Sequence, residues 1–423
     1  MSLVIRRGLV LTSGGLTLSD VVIEANVVKA VSSDIDIEGD REIDASGCLV
    51  GPGFVDIHAH LRDPGQTWKE DIASGIRAAA AGGFTAIVIM PNTDPPVDSA
   101  NVAADIFARA SALGSAEVRV AGSLTKGRAG ENPSDVDGLY GAGVRLFTDD
   151  GDCLEDDRLA EELMQRLAEL PGAVFCQHAE QTSLTGGGHL HEGEVSTKLG
   201  IGGMPSEAET AIVARDLQLV RRTGVAYHCQ HVSAADTVDL IRIAKDEGLP
   251  VTAEVTPHHL SFTDSDVGAL DPNFKMYPPL RSAADRAALR SGLLDGTIDV
   301  VATDHAPHTE EEKSAGFTAA PRGVIGMETA APVVWEVVRD PHRFFEVLSM
   351  GPARIAEMVD QGRLLEPGSP ANVVVFDPKA IWAPEAFFSK SANSPYLGVE
   401  MTGRVVATIA NGRLVHDIRQ VPA

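Results

Sequence analysis

Five side chains able to ligate a metal stand at the ends of successive apolar runs: His58 and His60 in VDIHAHLRDPG, His178 in VFCQHAE, His231 in YHCQHVS and Asp304 in VVATDHAPH. Imidazole and carboxylate donors without a thiolate suit zinc, with manganese or cobalt as substitutes. Strand side chains repeat their direction every second residue, so His58 and His60 share a face and can chelate one ion. An HxH pair alone is equally compatible with core hydrogen bonding or a solvent-facing strand. Its coincidence with His178, His231 and Asp304 favours a metal site. His58, His60 and Asp304 would hold one ion, and His178 with His231 a second. Two cations that close need an anionic bridge from some carboxylate.

Residues so far apart in sequence meet only in a fold that gathers many strand ends. The apolar runs FVDIH, TAIVIM, EVRVAG, GVRLF, AVFCQ, VAYHCQ, VTAEV and IDVVATD alternate with segments of helical spacing such as DIASGIRAAAAGG, DRLAEELMQRLAEL, SEAETAIVARDLQLVRR and AADTVDLIRIAKDEG. This alternation predicts an α/β protein built as a (β/α)8 TIM-like barrel, with chemistry at the carboxyl ends of the strands, where every proposed ligand falls. Short strands at the two ends, SLVIRRGLVLT and DVVIEANVVKAVS against ANVVVFD and GRVVATIANGRLVHD, predict a small β-sandwich domain made from both termini. The expected division is residues 1–50 and 363–423 for that domain and 51–362 for the barrel.

The 423 residues, 44% hydrophobic and 22% charged, support a large buried core and exclude a disordered chain. A net charge of −25, dispersed over the surface, repels polyanions and excludes nucleic acid as a partner. No N-terminal signal and no apolar run of about 18 residues is present, so neither secretion nor membrane spanning is expected and the chain reads as cytoplasmic. Cys48, Cys153, Cys176 and Cys229 form no CxxC pair and read as buried thiols.

The motifs GFVDIHAHLRDPG, MPNTDPP, FTDDG, HAE, HVS, TPHH, PPLR and ATDHAPH resemble those of the amidohydrolase superfamily and, more closely, of the dihydroorotases, over nearly the whole chain. Many members of that superfamily bridge their metals with a carboxylated lysine after the fourth strand. Arg145 occupies the nearest place here, and a guanidinium cannot serve. The resemblance is to the subset carrying TDDG, in which an aspartate substitutes; the match is Asp150, with Asp149 as the rival and a metal-free Asp-Asp-Gly turn as the alternative. The resemblance implies two Zn2+ per chain on His58, His60, Asp150, His178, His231 and Asp304. Paired dications would acidify a water near neutral pH, with Asp304 shuttling its proton, to open the cyclic amide of dihydroorotate to N-carbamoyl-aspartate or to close it again in pyrimidine synthesis.

The substrate carboxylate needs a fixed clamp, and by resemblance Arg62, Asn92 and His308 supply contacts to it or to the ring, with His60, Arg322 and Gly323 also at the substrate. Single alternatives stay open: a rim ion pair of Arg62 with Asp63 or Glu70, a turn role for Asn92, a solvent-facing His308. Two departures from the family pattern, Tyr277 before Pro278-Pro279 and Arg322 before Gly323, bear on affinity more than on reaction class. His258 and His259 read as supporting residues. The glycine-rich stretch around His189 and His191 reads as a flexible loop able to act as a lid rather than as a second metal-binding HxH.

Two rival readings follow. A hydantoinase or allantoinase acts on rings without the carboxylate and leaves Arg62 idle. A weakly active barrel would instead work mainly beside aspartate carbamoyltransferase, as some relatives do. A homo-oligomer is expected in either case.

Overall fold

The computed structural model describes residues 2–33, 35 and 39–419. Its strands are β1 (Ser2–Thr12), β2 (Gly15–Glu24), β3 (Val27–Ser32), β4 (Arg41–Asp44), β5 (Leu49–Pro52), β6 (Phe54–Ala59), β7 (Phe84–Ile89), β8 (Glu117–Val120), β9 (Leu146–Phe147), β10 (Val174–Gln177), β11 (Leu190–His191), β12 (Gly203–Met204), β13 (Ala226–Cys229), β14 (Val251–Val255), β15 (Val300–Val301), β16 (Val373–Trp382), β17 (Met401–Ala410) and β18 (Arg413–Asp417). All eight apolar runs singled out in the sequence contain one of the parallel strands β6–β10 and β13–β15.

Strands β6, β7 and β10 are buried on both faces, which is why they read as continuous apolar runs, whereas β8 alternates between buried Val118 and Val120 and half-buried Glu117 and Arg119. One parallel sheet has the order β6-β7-β8 and a second the order β15-β14-β13-β10-β9. Isolated parallel bridges join them at two places, Gly122 to Phe147 and Ala59 to His305. At the second seam His60 N–H donates to His305 C=O (2.8 Å), tying the HxH strand to the DHAPH segment. The β6–β7 pairing shifts register between Phe54 and Val55 and again between Asp56 and Ala59. Such irregularities re-aim side chains, and here they lie beside His58 and His60.

Helices follow the strands as the spacing predicts. Ile72–Ala81 is capped by Asp71, whose carboxylate accepts Ser74 N–H, in a reciprocal capping box. In Asp157–Ala168 the residues Leu159, Ala160, Leu163, Met164 and Leu167 form one buried stripe. Glu207–Thr223 stops at Gly224, which takes the left-handed conformation that a side chain disfavours. Ile76 and Ala79 share the main core with Ile87 and Ile89 of β7. The alternate residues Ala86, Val88 and Met90 pack inward with Val55, Ile57, Leu146 and Cys176.

The two chain ends merge into one mixed eight-stranded sheet of order β18-β17-β16-β5-β1-β2-β3, with β4 alongside β1. β5 is the junction: it runs parallel to β1 and antiparallel to β16, with Leu49 opposite Phe376. Leu3, Ile5, Val10, Val373, Val375 and Ile409 belong to this sheet's own core. Among the described residues no helix is long and apolar enough to cross a membrane. The four cysteines are free; Cys48, Cys176 and Cys229 are buried and Cys153 partly so.

The glycine-rich stretch departs from the expected loop. Leu190–His191 pairs in parallel with Gly203–Met204 around the short helix Glu194–Leu199. Ser196 Oγ accepts Gly193 N–H there, so a local capping bond offsets the freedom of the flanking glycines.

Candidate metal centre

The ends of four strands, β6, β9, β10 and β13, bring His58, His60, Asp150, His178 and His231 together. The donor atoms of His58, His60 and Asp150 lie within 4.8 Å of one another, and so do those of Asp150, His178 and His231. Asp150 belongs to both groups. Its Oδ1 stands 3.2 Å from His58 Nε2, 3.5 Å from His178 Nδ1 and 3.4 Å from His231 Nε2, and its Oδ2 stands 3.5 Å from His60 Nε2. All of these residues are buried.

The hydrogen bonds behind the imidazoles set which nitrogen faces inward. His58 Nδ1–H donates to Glu254 Oε1 (2.5 Å) and His60 Nδ1–H to Asn92 Oδ1 (2.8 Å). Each Nε2 is therefore turned inward toward carboxylate oxygens, an N–H in the metal-free site and a lone pair once a metal ion binds. His58 Nε2 and Asp150 Oδ1 are buried without any hydrogen-bond partner. Lone pairs facing carboxylates inside a protein repel unless a cation lies between them, so this donor set fits divalent metal ions.

Asp304 stands at the rim of the first group, with Oδ1 2.9 Å from His60 Nε2 and 3.7 Å from His58 Nε2. Burial pushes its carboxyl up, but the bond to His60 and the nearby imidazoles hold it well below the usual range. Asp150 is likewise held low against the push of burial, first by His58 and then by bonds to His178 and His231. Asp149 points elsewhere and accepts Thr125 N–H (3.0 Å) and the Thr125 hydroxyl. Burial raises it to about 6. Arg145 also turns away, donating to Val144 C=O (2.8 Å) and stacking on Tyr140.

Glu254, in the apolar strand β14, was not singled out from the sequence. Oε1 accepts from His58 Nδ1–H and His231 N–H, while Oε2 lies 3.1 Å from His228 Nε2. Burial pushes this carboxyl up, yet His58 and His228 hold it at about 2. The available signal was a carboxylate inside a strand buried on both faces. Backbone strain marks the same neighbourhood: φ is +31° at His231, +46° at Asp304 and +57° at Arg62, values that non-glycine residues rarely adopt.

A cavity of about 460 Å³ opens over these ligands and is lined by Arg62, Asn92, His308, Arg322 and Gly323 among others. Arg62 has no ion-pair partner among the described residues: Asp63 is taken by Arg109, and Glu70 by Ser74, His305 and Ser389. The guanidinium meets only Pro307 C=O (3.3 Å) and His308 Nε2 (3.4 Å), and burial lowers its pKa to about 10. His308 Nε2–H donates to Arg322 C=O (2.8 Å), and burial followed by Arg62 pushes its pKa down to about 2, so the ring is neutral. Asn92 lines the cavity but spends its oxygen on His60.

Gly323 lies in the wall with both backbone groups engaged: its N–H donates to Lys275 C=O (2.9 Å), and its C=O accepts from Lys313 Nζ (2.8 Å) and Asn393 Nδ2 (3.1 Å). With φ at +121° and a Cβ that would fall 2.7 Å from Ala306 Cβ, the position requires glycine.

Tyr277 and His189 also line the cavity. The Tyr277 ring packs 4.6 Å from His178, its hydroxyl donates to Glu180, and the Arg322 guanidinium sits 4.0 Å above it. His189 comes from the glycine-rich stretch, and its buried Nδ1 has no partner. His259 is fixed by Thr256 and donates to Pro278 C=O (3.1 Å), whereas His258 Nε2 is buried without a partner. A second, larger depression of about 1080 Å³ at residues 346–370 lies outside this ligand cluster.

A family model described as "Dihydro-orotase-like" matches residues 47–237. The dihydroorotase of Anaeromyxobacter sp. (strain K) is 45% identical over 409 residues, covering 94% of this chain and 93% of that protein. That of Mycobacterium tuberculosis is 42% identical over 406 residues, covering 93% and 94%. That of Pelotomaculum thermopropionicum is 42% identical over 431 residues, covering 100% of both. Among solved structures, the L-hydantoinase (dihydropyrimidinase) of Arthrobacter aurescens superposes with a TM-score of 0.88 at 26% identity, covering 100% of this chain and 97% of that one. The D-hydantoinase of a Bacillus sp. AR9 gives a TM-score of 0.82 at 26% identity, covering 99% and 96%.

Proposed function

The chain belongs to the dihydroorotase family, hydrolases of a cyclic amide, and from that premise we propose how its residues carry out the reaction. The observation that carries the reading is Asp150 shared between two buried ligand groups. His58, His60 and Asp150 would hold one divalent ion and Asp150, His178 and His231 a second, zinc by the chemistry of the donors, with Asp304 as a further ligand at the rim. Such a pair, when bound, supplies Lewis acidity that makes water nucleophilic and draws charge from the ring carbonyl.

The chain's own groups do the rest. Asp304 takes the proton of the attacking water and delivers it to the ring nitrogen as the C–N bond breaks, giving N-carbamoyl-aspartate; ring closure retraces the path. Glu254 and Asn92 hold His58 and His60 in the tautomer that turns Nε2 inward. Arg62, a cation without a carboxylate of its own, takes the carboxylate of dihydroorotate, and the neutral His308 stands beside it. Gly323 contributes room more than hydrogen bonds, since its polar groups are engaged.

The parallel strands are read as a closed (β/α)8 barrel over residues 51–362, a closure supported by the two seam bridges, with 1–50 and 363–423 forming the terminal β domain. A cytoplasmic homo-oligomer, in contact with aspartate carbamoyltransferase, completes the proposal; light scattering of the protein alone and mixed with the transferase tests both contacts.

The decisive experiment is elemental analysis of the purified protein together with turnover of dihydroorotate, hydantoin and allantoin before and after chelation. Two zinc per chain, with dihydroorotate turnover lost on chelation and restored by metal, is expected. Turnover that survives complete metal removal, or that favours hydantoin or allantoin, refutes the proposal.

A further inference from the structure

Outside the cavity, one buried side chain ties together two of the segments that form its substrate-facing wall. Asn393 donates through Nδ2 to Ala306 C=O (3.0 Å) and to Gly323 C=O (3.1 Å), and its Oδ1 accepts His308 N–H (3.1 Å). Its backbone C=O accepts Ile325 N–H (3.0 Å). The segment that carries it, residues 389–394, is itself tied down on the segment that follows Arg62. The Ser389 hydroxyl and Lys390 N–H donate to Glu70, Lys390 Nζ donates to Thr67 C=O (2.8 Å), and the Ser391 hydroxyl donates to Lys69 C=O (2.8 Å).

We propose that Asn393 is a positioning residue for substrate recognition, locking the DHAPH segment and the Arg322-Gly323 segment at one spacing so that His308 and Arg62 meet the substrate as a preformed clamp. The proposal rests on the reading of Arg62 and His308 as that clamp. The amide is suited to the task because it offers two donors to two carbonyls and one acceptor to an N–H, and no other side chain of its size does both. Lys313 Nζ, on Pro321 C=O (3.1 Å) and Gly323 C=O (2.8 Å), reinforces one side of the tie without touching His308. A preorganised clamp lowers the cost of binding, and loosening it weakens ground-state recognition before it affects the bond-breaking step.

The test is steady-state kinetics on dihydroorotate with Asn393→Ala and Asn393→Asp, run beside Arg62→Met and His308→Ala, with metal content and melting temperature measured for each. Asn393→Asp keeps the shape and the acceptor for His308 N–H but places a carboxylate against two carbonyls. Both Asn393 variants are expected to raise KM about tenfold or more while kcat changes less than about threefold and metal content is unchanged. A side chain that merely stabilises the fold would lower the melting temperature and leave KM untouched well below it. If Arg62→Met and His308→Ala raise KM while folded Asn393 variants do not, the positioning role is overturned and the clamp stands. If none of the four moves KM, the clamp reading falls and this inference with it. Should Asn393→Ala not fold, Lys313→Met carries the test: a raised KM supports the tie, and an unchanged one refutes it.

Discussion

Replacing Arg62 with methionine separates recognition from stability. The guanidinium is mostly buried with no carboxylate beside it, and burial lowers its pKa from the ordinary 12.5 to about 10. At ~1.36 kcal/mol per pH unit, holding that charge in the free protein costs on the order of 3 kcal/mol. A bound carboxylate recovers the cost by giving the cation its counter-charge. Methionine fills a similar volume without the charge, so Arg62→Met should melt at or slightly above the wild-type temperature. Losing a charge-assisted pair of about 2–3 kcal/mol should raise KM for dihydroorotate ~30- to 150-fold. Hydantoin has no ring carboxylate, so its turnover should not fall. The assay is paired kinetics on the two substrates at one metal loading, with calorimetric melting of the same samples. A shift in dihydroorotate KM below about threefold, or an equal loss on both substrates, refutes the reasoning.

Asp150→Asn should empty both ion positions, because one carboxylate serves both groups. Metal analysis should show less than about half the wild-type content, and activity should fall at least ~100-fold; retention of two ions would contradict the bridge. Glu254→Gln leaves His58 a weaker acceptor behind it, so metal affinity should drop about 10- to 100-fold in competition with a chelator, with fold and melting nearly kept. Asp216, which is not among the proposed ligands, gives a pH test. Burial, opposed by Arg215, Tyr227 and Gln177, pushes its carboxyl up to about 6 from an ordinary 3.8. Between those values the unfolded chain releases a proton that the folded chain keeps, so stability falls as pH rises, by about 3 kcal/mol once pH exceeds 6. Denaturant unfolding at about pH 4 and about pH 7.5 should show the wild type losing about 2–3 kcal/mol more than Asp216→Asn over that interval; equal losses reject it.

Most of the parallel strands were legible in the sequence because strands buried on both faces are apolar, and the candidate ligand histidines stood out as polar residues ending such runs. Between Asp149 and Asp150, it is Asp150 that the fold sets among the four histidines. Adjacent residues point apart, and it is Thr125, distant in sequence, that claims Asp149. Glu254 and Asn393 escaped notice for a related reason. Each acts through partners brought close by tertiary structure, and neither lies in a motif whose spacing implies its role. Tyr277 was visible as a departure from the family pattern, but its place against His178 and under Arg322 depends on two segments meeting across the cavity. In the glycine-rich stretch, composition reports backbone freedom and gave no sign of the short pairing of Leu190–His191 with Gly203–Met204.

The placement of β5 between β1 and β16 has a bearing on biosynthesis. As the polypeptide leaves the ribosome, β5 offers one bare edge until β16 is translated, after the entire α/β region has emerged. Nascent chains therefore carry an open strand edge for most of their synthesis, a target for chaperones and a hazard for aggregation. A product cut short before Asn393 lacks the tether behind the catalytic mouth, so an incomplete copy is denied a finished recognition site.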